Sequence, residues 1–360
     1  MKKLRVLIVD DSESNRRTLD EILRACPGVD VAGNAANGAQ ALRLVAELNP
    51  DLITLDLEMP RMDGFTFLRL LMASRPTPVV VVSGYPAKDN VFRALELGAL
   101  DFITKPDSGA PGQAGAPAGP ELLKIQIERM LEVVRQLSPP GMNYRSKRKR
   151  VMSERSMAAI ERVAAPQPGL PSRVVAIAAS TGGPTALMEL FGALPDTGSG
   201  ALVVAQHMPE RFTRTFAERL DKQSSFRVRE AEHMIDLSPH TALLSPGGRC
   251  VELERRGERL SARVMHRSTT DRYAPSADRL FRSVARAVGE RAVGVVLTGM
   301  GDDAARGVMD IKQAGGLVLC ESEATAVVYG MPRVAVQTGC VDEVLSLSEL
   351  VARVRELVSS

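Results

Sequence analysis

Cysteine is scarce. The four thiols, Cys26, Cys250, Cys320 and Cys340, are scattered without a CxxC spacing, which argues against a disulfide framework or a zinc site and leaves them as buried or incidental groups. Histidine is as thinly spread, at His207, His233, His240 and His266, and no two stand at helical ligand spacing, so a structural metal site is not expected. No apolar run approaches the roughly 20 residues needed to span a bilayer. The amino terminus, MKKLRVLIVDD, reaches acid before a signal-type apolar stretch could finish. A cytoplasmic protein with no direct membrane insertion is expected. Net charge is only +3, too little to draw the whole molecule to nucleic acid. Neither GxGxxG nor a lysine-bearing phosphate loop is present, which disfavours nucleotide binding.

What the chain does have is a recurring pattern of apolar β-type runs that stop on a residue able to do chemistry. LRVLIV (4–9) ends on Asp10 and Asp11, LITL (52–55) on Asp56, VVVV (79–82) on Ser83 and DFIT (101–104) on Lys105. Later, RVVAIAA (173–179) ends on Ser180, ALVVA (201–205) is followed by Gln206 and His207, and VGVVL (293–297) runs into TGMGDD (298–303). In open α/β sheets, sites form outside the carboxyl ends of the strands, so each set should converge on one crevice.

With 360 residues, 44% hydrophobic and 25% charged, the chain has the length for two cores. Strand-like runs alternate with helix-patterned stretches at 14–26, 39–49 and 91–99, which predicts βαβ units and a parallel sheet. A Gly/Pro/Ala-rich insertion (107–120) precedes an amphipathic helix at 121–137 that closes the first domain, 1–137. Residues 138–172 read as a linker, with a short helix near 153–164, and 173–360 as a second, unrelated α/β domain. Its closing helix, 346–358, has Ser348 available as a cap.

Asp10, Asp11 and Asp56 cannot share a pocket without a counter-charge. A hard divalent ion such as Mg²⁺ answers that need and can also bind an incoming phosphoryl group; Lys105 adds a point charge and Ser83 a hydroxyl. In the second set, Ser180 needs a base and the base needs an orienting group, and His207 and Asp303 are of the right types at strand ends. Spacing does not choose between Asp303 and its neighbour Asp302, either of which could cap a helix. The loop STGGP (180–184) admits close backbone approach, and a helix amino terminus there would favour developing negative charge.

VDDS (9–12), LDLEMPRMDG (55–64), Ser83 and TKP (104–106) resemble the receiver domain of two-component response regulators. The resemblance implies that Asp56 accepts a phosphoryl group from a sensor histidine kinase, that Asp11 with Asp10 holds Mg²⁺, and that Glu58 lends its backbone carbonyl. It also makes Lys105 and Ser83 phosphate readers and puts Phe102 at the aromatic switch position, or equally in the plain core. AASTGGP (178–184), QHMP with FTRTFAERLD (206–221), SPGG (245–248), YAPSADRLFRSVA (273–285), LTGMGDDAARG (297–307) and VVYGMPRVA (327–335) resemble the catalytic domain of chemotaxis protein-glutamate methylesterases, the CheB family. By that resemblance Ser180 is the nucleophile, His207 the base and Asp303 its orienting partner, the Met300 amide serves the oxyanion hole, and Thr181 is a local support. Ala178, Ala304 and Cys250 depart from the family's usual Gly, Gly and His, and the two added methyls could crowd a tight backbone approach.

The expected architecture is therefore two doubly wound α/β domains, a (βα)5 receiver with a parallel sheet followed by a mostly parallel, α/β hydrolase-type catalytic domain. The expected function is a phosphorylation-activated esterase that removes methyl groups from glutamyl esters of chemoreceptors and deamidates certain receptor glutamines, with no cofactor for hydrolysis. The resemblance further implies that the unphosphorylated receiver covers the catalytic mouth. A CheA-like kinase as donor, recruitment to receptor arrays and a monomeric state complete the expectation. The rivals are a catalytically silent interaction module and a nucleic-acid-binding regulator suggested by RSKRKR (145–150), which no helix-turn-helix pattern follows.

Overall fold

The computed structural model describes residues 3–84, 88–105, 119–137 and 169–359. Pro106, nearly all of the expected insertion, the cationic run at 145–150 and the expected helix near 153–164 lie outside the described residues. The chain divides into two compact units, Met1–Ser153 and Glu154–Ser360.

The first unit alternates β1 (Leu4–Val9), α1 (Glu13–Ala25), β2 (Val29–Ala35), α2 (Gly38–Leu48), β3 (Leu52–Leu55), α3 (Gly64–Ser74), β4 (Val79–Ser83), α4 (Lys88–Leu97), β5 (Asp101–Thr104) and α5 (Gly119–Leu137). All pairings are parallel, in the order β2-β1-β3-β4-β5. Helices cover both faces of such a sheet, so β3 and β4 are aliphatic and buried along their whole length. Edge strand β2, VDVAGNA, is only intermittently buried and gives no continuous apolar run. Side-chain caps start the first three helices, Ser12 accepting from the Asn15 amide, Asn37 from Gln40 and Asp63 from Thr66. Helix α5 begins at Gly119, two residues inside the segment expected to be insertion.

The second unit comprises β6 (Val174–Ala179), α6 (Gly183–Phe191), β7 (Ala201–Gln206), α7 (Glu210–Gln223), β8 (Arg227–Glu230), β9 (Met234–Asp236), β10 (Thr241–Leu244), β11 (Arg249–Arg256), β12 (Arg259–His266), α8 (Ala277–Val288), β13 (Ala292–Val296), α9 (Ala305–Gln313), β14 (Leu317–Glu321), α10 (Met331–Gln337), β15 (Glu343–Leu345) and α11 (Leu347–Ser359). Seven strands form one parallel sheet, β15-β14-β13-β6-β7-β10-β8, and β11-β12-β9 form a separate antiparallel sheet. From β6 the chain winds outward through β7, then returns to lay β13, β14 and β15 on the other side. The winding reverses between β6 and β13, and the carboxyl ends there are where a ligand crevice opens.

Helix α8 buries Ala277, Leu280, Phe281, Val284, Ala285 and Val288 along one face. It packs against β11, β6 and α9 and so stands behind the strand ends. The last helix, α11, is capped by Ser346 rather than the expected Ser348. Ser346 Oγ accepts the Glu349 amide at 3.4 Å while Glu349 Oε2 accepts the Ser346 amide at 2.9 Å, a reciprocal capping box. Ser348 offers only its hydroxyl to Ser346, at 3.3 Å. At the end of the expected linker, the Ser172 amide donates to Ser199 O at 2.9 Å and Leu170 packs on the second core.

His240, ahead of β10, is buried against Phe226 with ring centroids 4.2 Å apart. Neither ring nitrogen reaches hydrogen-bond geometry, although the Ser225 backbone lies close. Burial therefore pushes its pKa below the ordinary histidine value of 6.5, partly offset by the Ser225 backbone and the Asp196 charge. A histidine kept neutral in the fold but free to protonate when unfolded loses the protein stability as pH falls below that value. Denaturant midpoints should drop between pH 7.5 and 5.5, and His240→Asn should flatten part of the drop; an unchanged pH slope in the variant would refute this.

Candidate active site

In the first unit, Asp10 follows β1, Asp56 follows β3, Ser83 ends β4 and Lys105 follows β5, which brings four strand ends to one crevice. Carboxylate oxygens of Asp10, Asp11 and Asp56 lie within 4.8 Å of one another. Lys105 Nζ donates to Asp10 Oδ2 and to Asp56 Oδ2, both at 2.6 Å. Burial opposes the Lys105 charge, but the two carboxylates outweigh it and hold the ammonium above its ordinary range. For Asp10 the balance goes the other way: burial, with the Asp56 charge added, pushes its carboxyl up despite Lys105. Three hard oxygen donors in excess of the local positive charge suit a divalent cation. The Ser12 amide, 2.9 Å from Asp10 Oδ1, and the Glu58 amide, 3.3 Å from Asp56 Oδ1, fix two of the carboxylates. Ser83 O accepts the Lys105 amide at 2.9 Å. Phe102 is buried in β5 opposite Val81, and the Glu58 side chain is exposed.

In the second unit the crevice lies at the winding reversal. Ser180 directly follows β6, its amide donating to Thr298 O at 3.1 Å, and the His207 amide donates to Ala179 O at 2.9 Å. Ser180 is therefore flanked by the chains leaving β7 and β13. Gln206, at the end of β7, reinforces this: its Nε2 donates to Ser180 O and His207 O, both at 3.0 Å. His207 Nε2 lies 2.8 Å from Asp303 Oδ2, whereas buried Nδ1 has no hydrogen-bond partner. With Nε2–H donated to the carboxylate, the neutral ring keeps its basic lone pair on Nδ1.

The choice between neighbouring carboxylates is clear in space. The Asp303 side chain is 1% exposed and bound to His207; that of Asp302 is 49% exposed and held by Arg272. Asp303 also accepts the Ala277 amide at 2.8 Å and the Asp278 amide at 3.0 Å, so it caps α8 from outside. Asp278 in turn accepts the Arg306 and Gly307 amides, at 2.9 and 2.8 Å, capping α9. Each helix thus fixes the carboxylate that begins the other. Burial alone would raise the Asp303 carboxyl, but the His207 contact and these amides outweigh it and hold it below the ordinary range.

Met300 follows Gly299, whose carbonyl accepts the Gly330 amide at 3.1 Å and the Met331 amide at 2.7 Å. In a trans peptide the next N–H points the opposite way, so the Met300 amide is turned away from that loop. No side chain can stand at Gly299: a Cβ there would lie 2.8 Å from Ser180 Cβ and 2.5 Å from Met331 Sδ. Thr181 is buried, and its carbonyl accepts the Thr298 hydroxyl at 2.9 Å. Thr298 is tied down further by its amide, which donates to buried Glu321 Oε2 at 2.8 Å. Helix α6 starts after Gly182 with no side-chain cap; its Gly183 amide donates to Ser180 O at 2.8 Å, and Pro184 brings no amide of its own.

Several of these groups escaped the sequence reading. Gln206 was visible as a strand-end residue, and Ser276, whose hydroxyl donates to Asp303 Oδ1 at 3.4 Å, and Tyr273, stacked on the His207 ring, lie in the motif YAPSADRLFRSVA, but none sits in a pattern that names its role. Thr298 and Glu321 support the loop from a strand end and from within β14, where a lone polar residue carries no signal.

The three departures have separate outcomes. Ala178 lies in regular strand, paired with Ala205 and Val296, where a methyl is ordinary. Cys250 is fully buried in β11, with Sγ 3.9 Å from Asp271 Oδ2, and burial pushes its thiol pKa up. Ala304 carries the strain: it begins α9 at φ 80°, in the left-handed region.

A family model described as CheB methylesterase matches residues 175–354, and one described as response regulator receiver domain matches residues 6–110. The chain is 43% identical, over 97% of its length and 96% of the relative's, to protein-glutamate methylesterase/protein-glutamine glutaminase 3 of Geobacter sulfurreducens. It is 47% identical to the correspondingly named protein 6 of Anaeromyxobacter dehalogenans, over 99% of this chain and 96% of that one. The crystal structure of the Thermotoga maritima CheB methylesterase catalytic domain is similar at TM-score 0.50 and 32% identity, covering 52% of this chain and 98% of that domain.

Magnitudes explain how alanine persists at position 304. Left-handed backbone costs an alanine about 1–2 kcal/mol, while glycine would forfeit about 0.8 kcal/mol for the buried methyl and about 0.4–1 kcal/mol through the freer unfolded chain. Ala304→Gly should therefore change unfolding free energy by less than about 1 kcal/mol, whereas Ala304→Val, branched at a positive φ, should cost at least about 2 kcal/mol. Equal effects of the two substitutions in urea titrations would contradict the assignment of strain.

Proposed function

The chain belongs to the CheB methylesterase family and carries that family's receiver, and from this we propose that it is a phosphorylation-regulated protein-glutamate methylesterase and protein-glutamine deamidase that works through Ser180, His207 and Asp303. The observation that carries the residue assignment is the buried 2.8 Å contact of His207 Nε2 with Asp303, which leaves Nδ1 as the basic nitrogen of a residue whose amide is bonded to Ala179, next to Ser180.

In this reading His207 Nδ1 takes the Ser180 proton as Oγ attacks the γ-carbonyl carbon of a glutamyl methyl ester. Charge builds on the carbonyl oxygen, where the Met300 amide and the amino-terminal dipole of α6 favour it, with Thr181 supporting the loop. Collapse of the tetrahedral species breaks the bond to methoxide, which leaves as methanol with the proton from Nδ1. Water, deprotonated by the same nitrogen, then attacks the acyl-serine and releases glutamate and free Ser180. A glutamine side chain follows the same path with ammonia as the leaving group. Asp303 stays ionised throughout and stabilises the imidazolium.

Asp56 is the phosphoryl acceptor, with a sensor histidine kinase as donor. Asp10, Asp11 and Asp56, with the Glu58 backbone carbonyl, would hold Mg²⁺, which when bound screens the carboxylates and the incoming phosphoryl oxygens. Lys105, already paired with Asp56, would transfer its charge to the new phosphoryl oxygens, with Ser83 beside them and Phe102 as the aromatic switch within β5. We assign the receiver to 1–137 and the esterase to 173–360, with chemoreceptor glutamyl esters as substrate. We further assign a cytoplasmic monomer recruited to receptor arrays; no helix among the described residues is long and apolar enough to cross a membrane. A catalytically silent module or a nucleic-acid regulator gains no support from a buried, capped imidazole–carboxylate pair.

Methanol release from methyl-labelled receptor membranes is the test. Wild type should release it faster when an acyl-phosphate donor and Mg²⁺ are added, and chelation should remove the stimulation but not the basal rate. Ser180→Ala should lose at least about 10³-fold in turnover, and Asp56→Asn should ignore the donor. Undiminished turnover in Ser180→Ala would overturn the mechanism.

A further inference from the structure

Tyr273 lies in the loop between β12 and α8 and belongs to no strand end. Its ring stacks on the His207 imidazole, with centroids 4.9 Å apart and planes inclined by only 5°. Its hydroxyl donates to Asp302 Oδ1 at 2.8 Å. Asp302 is in turn gripped by Arg272 Nη1, at 3.0 and 2.8 Å from its two oxygens, and the Arg272 guanidinium lies 5.3 Å from the Tyr273 ring centroid. The same hydroxyl abuts Gly301: a Cβ built there would come within 2.6 Å of Oη. Gly301 has φ 106°, so both its backbone and the space beside it exclude a larger residue.

These contacts bear on a gap in the triad geometry. The Asp303 bond fixes one edge of the imidazole but leaves rotation about that Nε2–Oδ2 line, and Nδ1, with no hydrogen bond, does not resist it. A base must hold its lone pair on the nucleophile's proton to within a fraction of an ångström. A flat aromatic face parallel to the ring resists that rotation, and only if it is itself immobile. The Asp302 and Arg272 contacts immobilise it. They also link it to residues 299–303, the segment that bears both the Met300 amide and Asp303.

We propose that Tyr273 is a positioning residue for ester hydrolysis, clamping the His207 ring plane and tying it to the loop that carries Met300. Tyr273 does not touch the reacting atoms; it sets the direction in which Nδ1 faces. Burial, together with the Asp302 hydrogen bond, raises its phenol pKa above the ordinary range and keeps the donor proton in place. The kinetic half of the proposal rests on the esterase reading; the effect on the ring does not.

The test uses the full chain with Tyr273→Phe, which keeps the face, and Tyr273→Leu, which keeps bulk without a stacking face. Methanol-release kinetics should show kcat reduced about 10–100-fold in Tyr273→Leu, with KM within about twofold, and most of the rate restored in Tyr273→Phe. In ¹⁵N and ¹³C relaxation measurements the His207 ring of wild type should be rigid, and that of Tyr273→Leu should show exchange broadening. A Leu variant with kcat within about twofold of wild type and unbroadened His207 ring signals would overturn the proposal. So would a kcat loss with the ring signals unbroadened. If wild type released no methanol but the ring signal still responded to Tyr273→Leu, the esterase reading would fall and the clamp would stand.

Discussion

One buried hydrogen bond, His207 Nε2 to Asp303 Oδ2 at 2.8 Å, decides what the second unit can do. By occupying one ring nitrogen it fixes the tautomer, and by fixing the tautomer it leaves Nδ1 as the basic atom. Without it the imidazole would be a polar group buried at a strand end with no defined proton. A carboxylate so enclosed would be costly unless several donors shared its charge. Five backbone and side-chain donors do so here: the imidazole, the Ser276 hydroxyl at 3.4 Å, and the amides of Ala277, Asp278 and Ala304, the last at 3.1 Å.

The amides tie the imidazole–carboxylate pair to the fold. Asp303 caps α8 while Asp278 of α8 caps α9, the helix that begins just past Asp303. Helix α8 is anchored by an apolar face that includes fully buried Phe281. The core thus positions the helix, the helix end positions the carboxylate, and the carboxylate positions the imidazole. The first unit solves the opposite problem, because Asp10, Asp11 and Asp56 crowd together with one ammonium among them. That crevice is built to gain charge partners, whereas the crevice of the second unit already has them.

Much of this was legible in the chain because strands buried on both faces read as unbroken apolar runs, and their last residues stand out. LITL and VVVV announced β3 and β4 and so marked Asp56 and Ser83. Partly exposed strands were not legible in that way: β2 alternates, and the antiparallel β9, β11 and β12 carry charges on their outer faces. Adjacent carboxylates could not be separated either, since whether Asp302 or Asp303 faces the core depends on the turn into α9. The resemblance pointed to Asp303; its burial and its amide contacts supply the physical reason. Tyr273 was invisible for a related reason, as it reaches the imidazole from a loop more than sixty residues along the chain from His207.

If the imidazole and the carboxylate act as one device, their losses cannot be independent. The direct measurement is a double-mutant cycle on turnover, with His207→Ala, Asp303→Ala and the double variant compared at saturating substrate. The account predicts that removing Asp303 from a protein already lacking His207 costs almost nothing further, within about threefold. Losses that multiply in the double variant would contradict it.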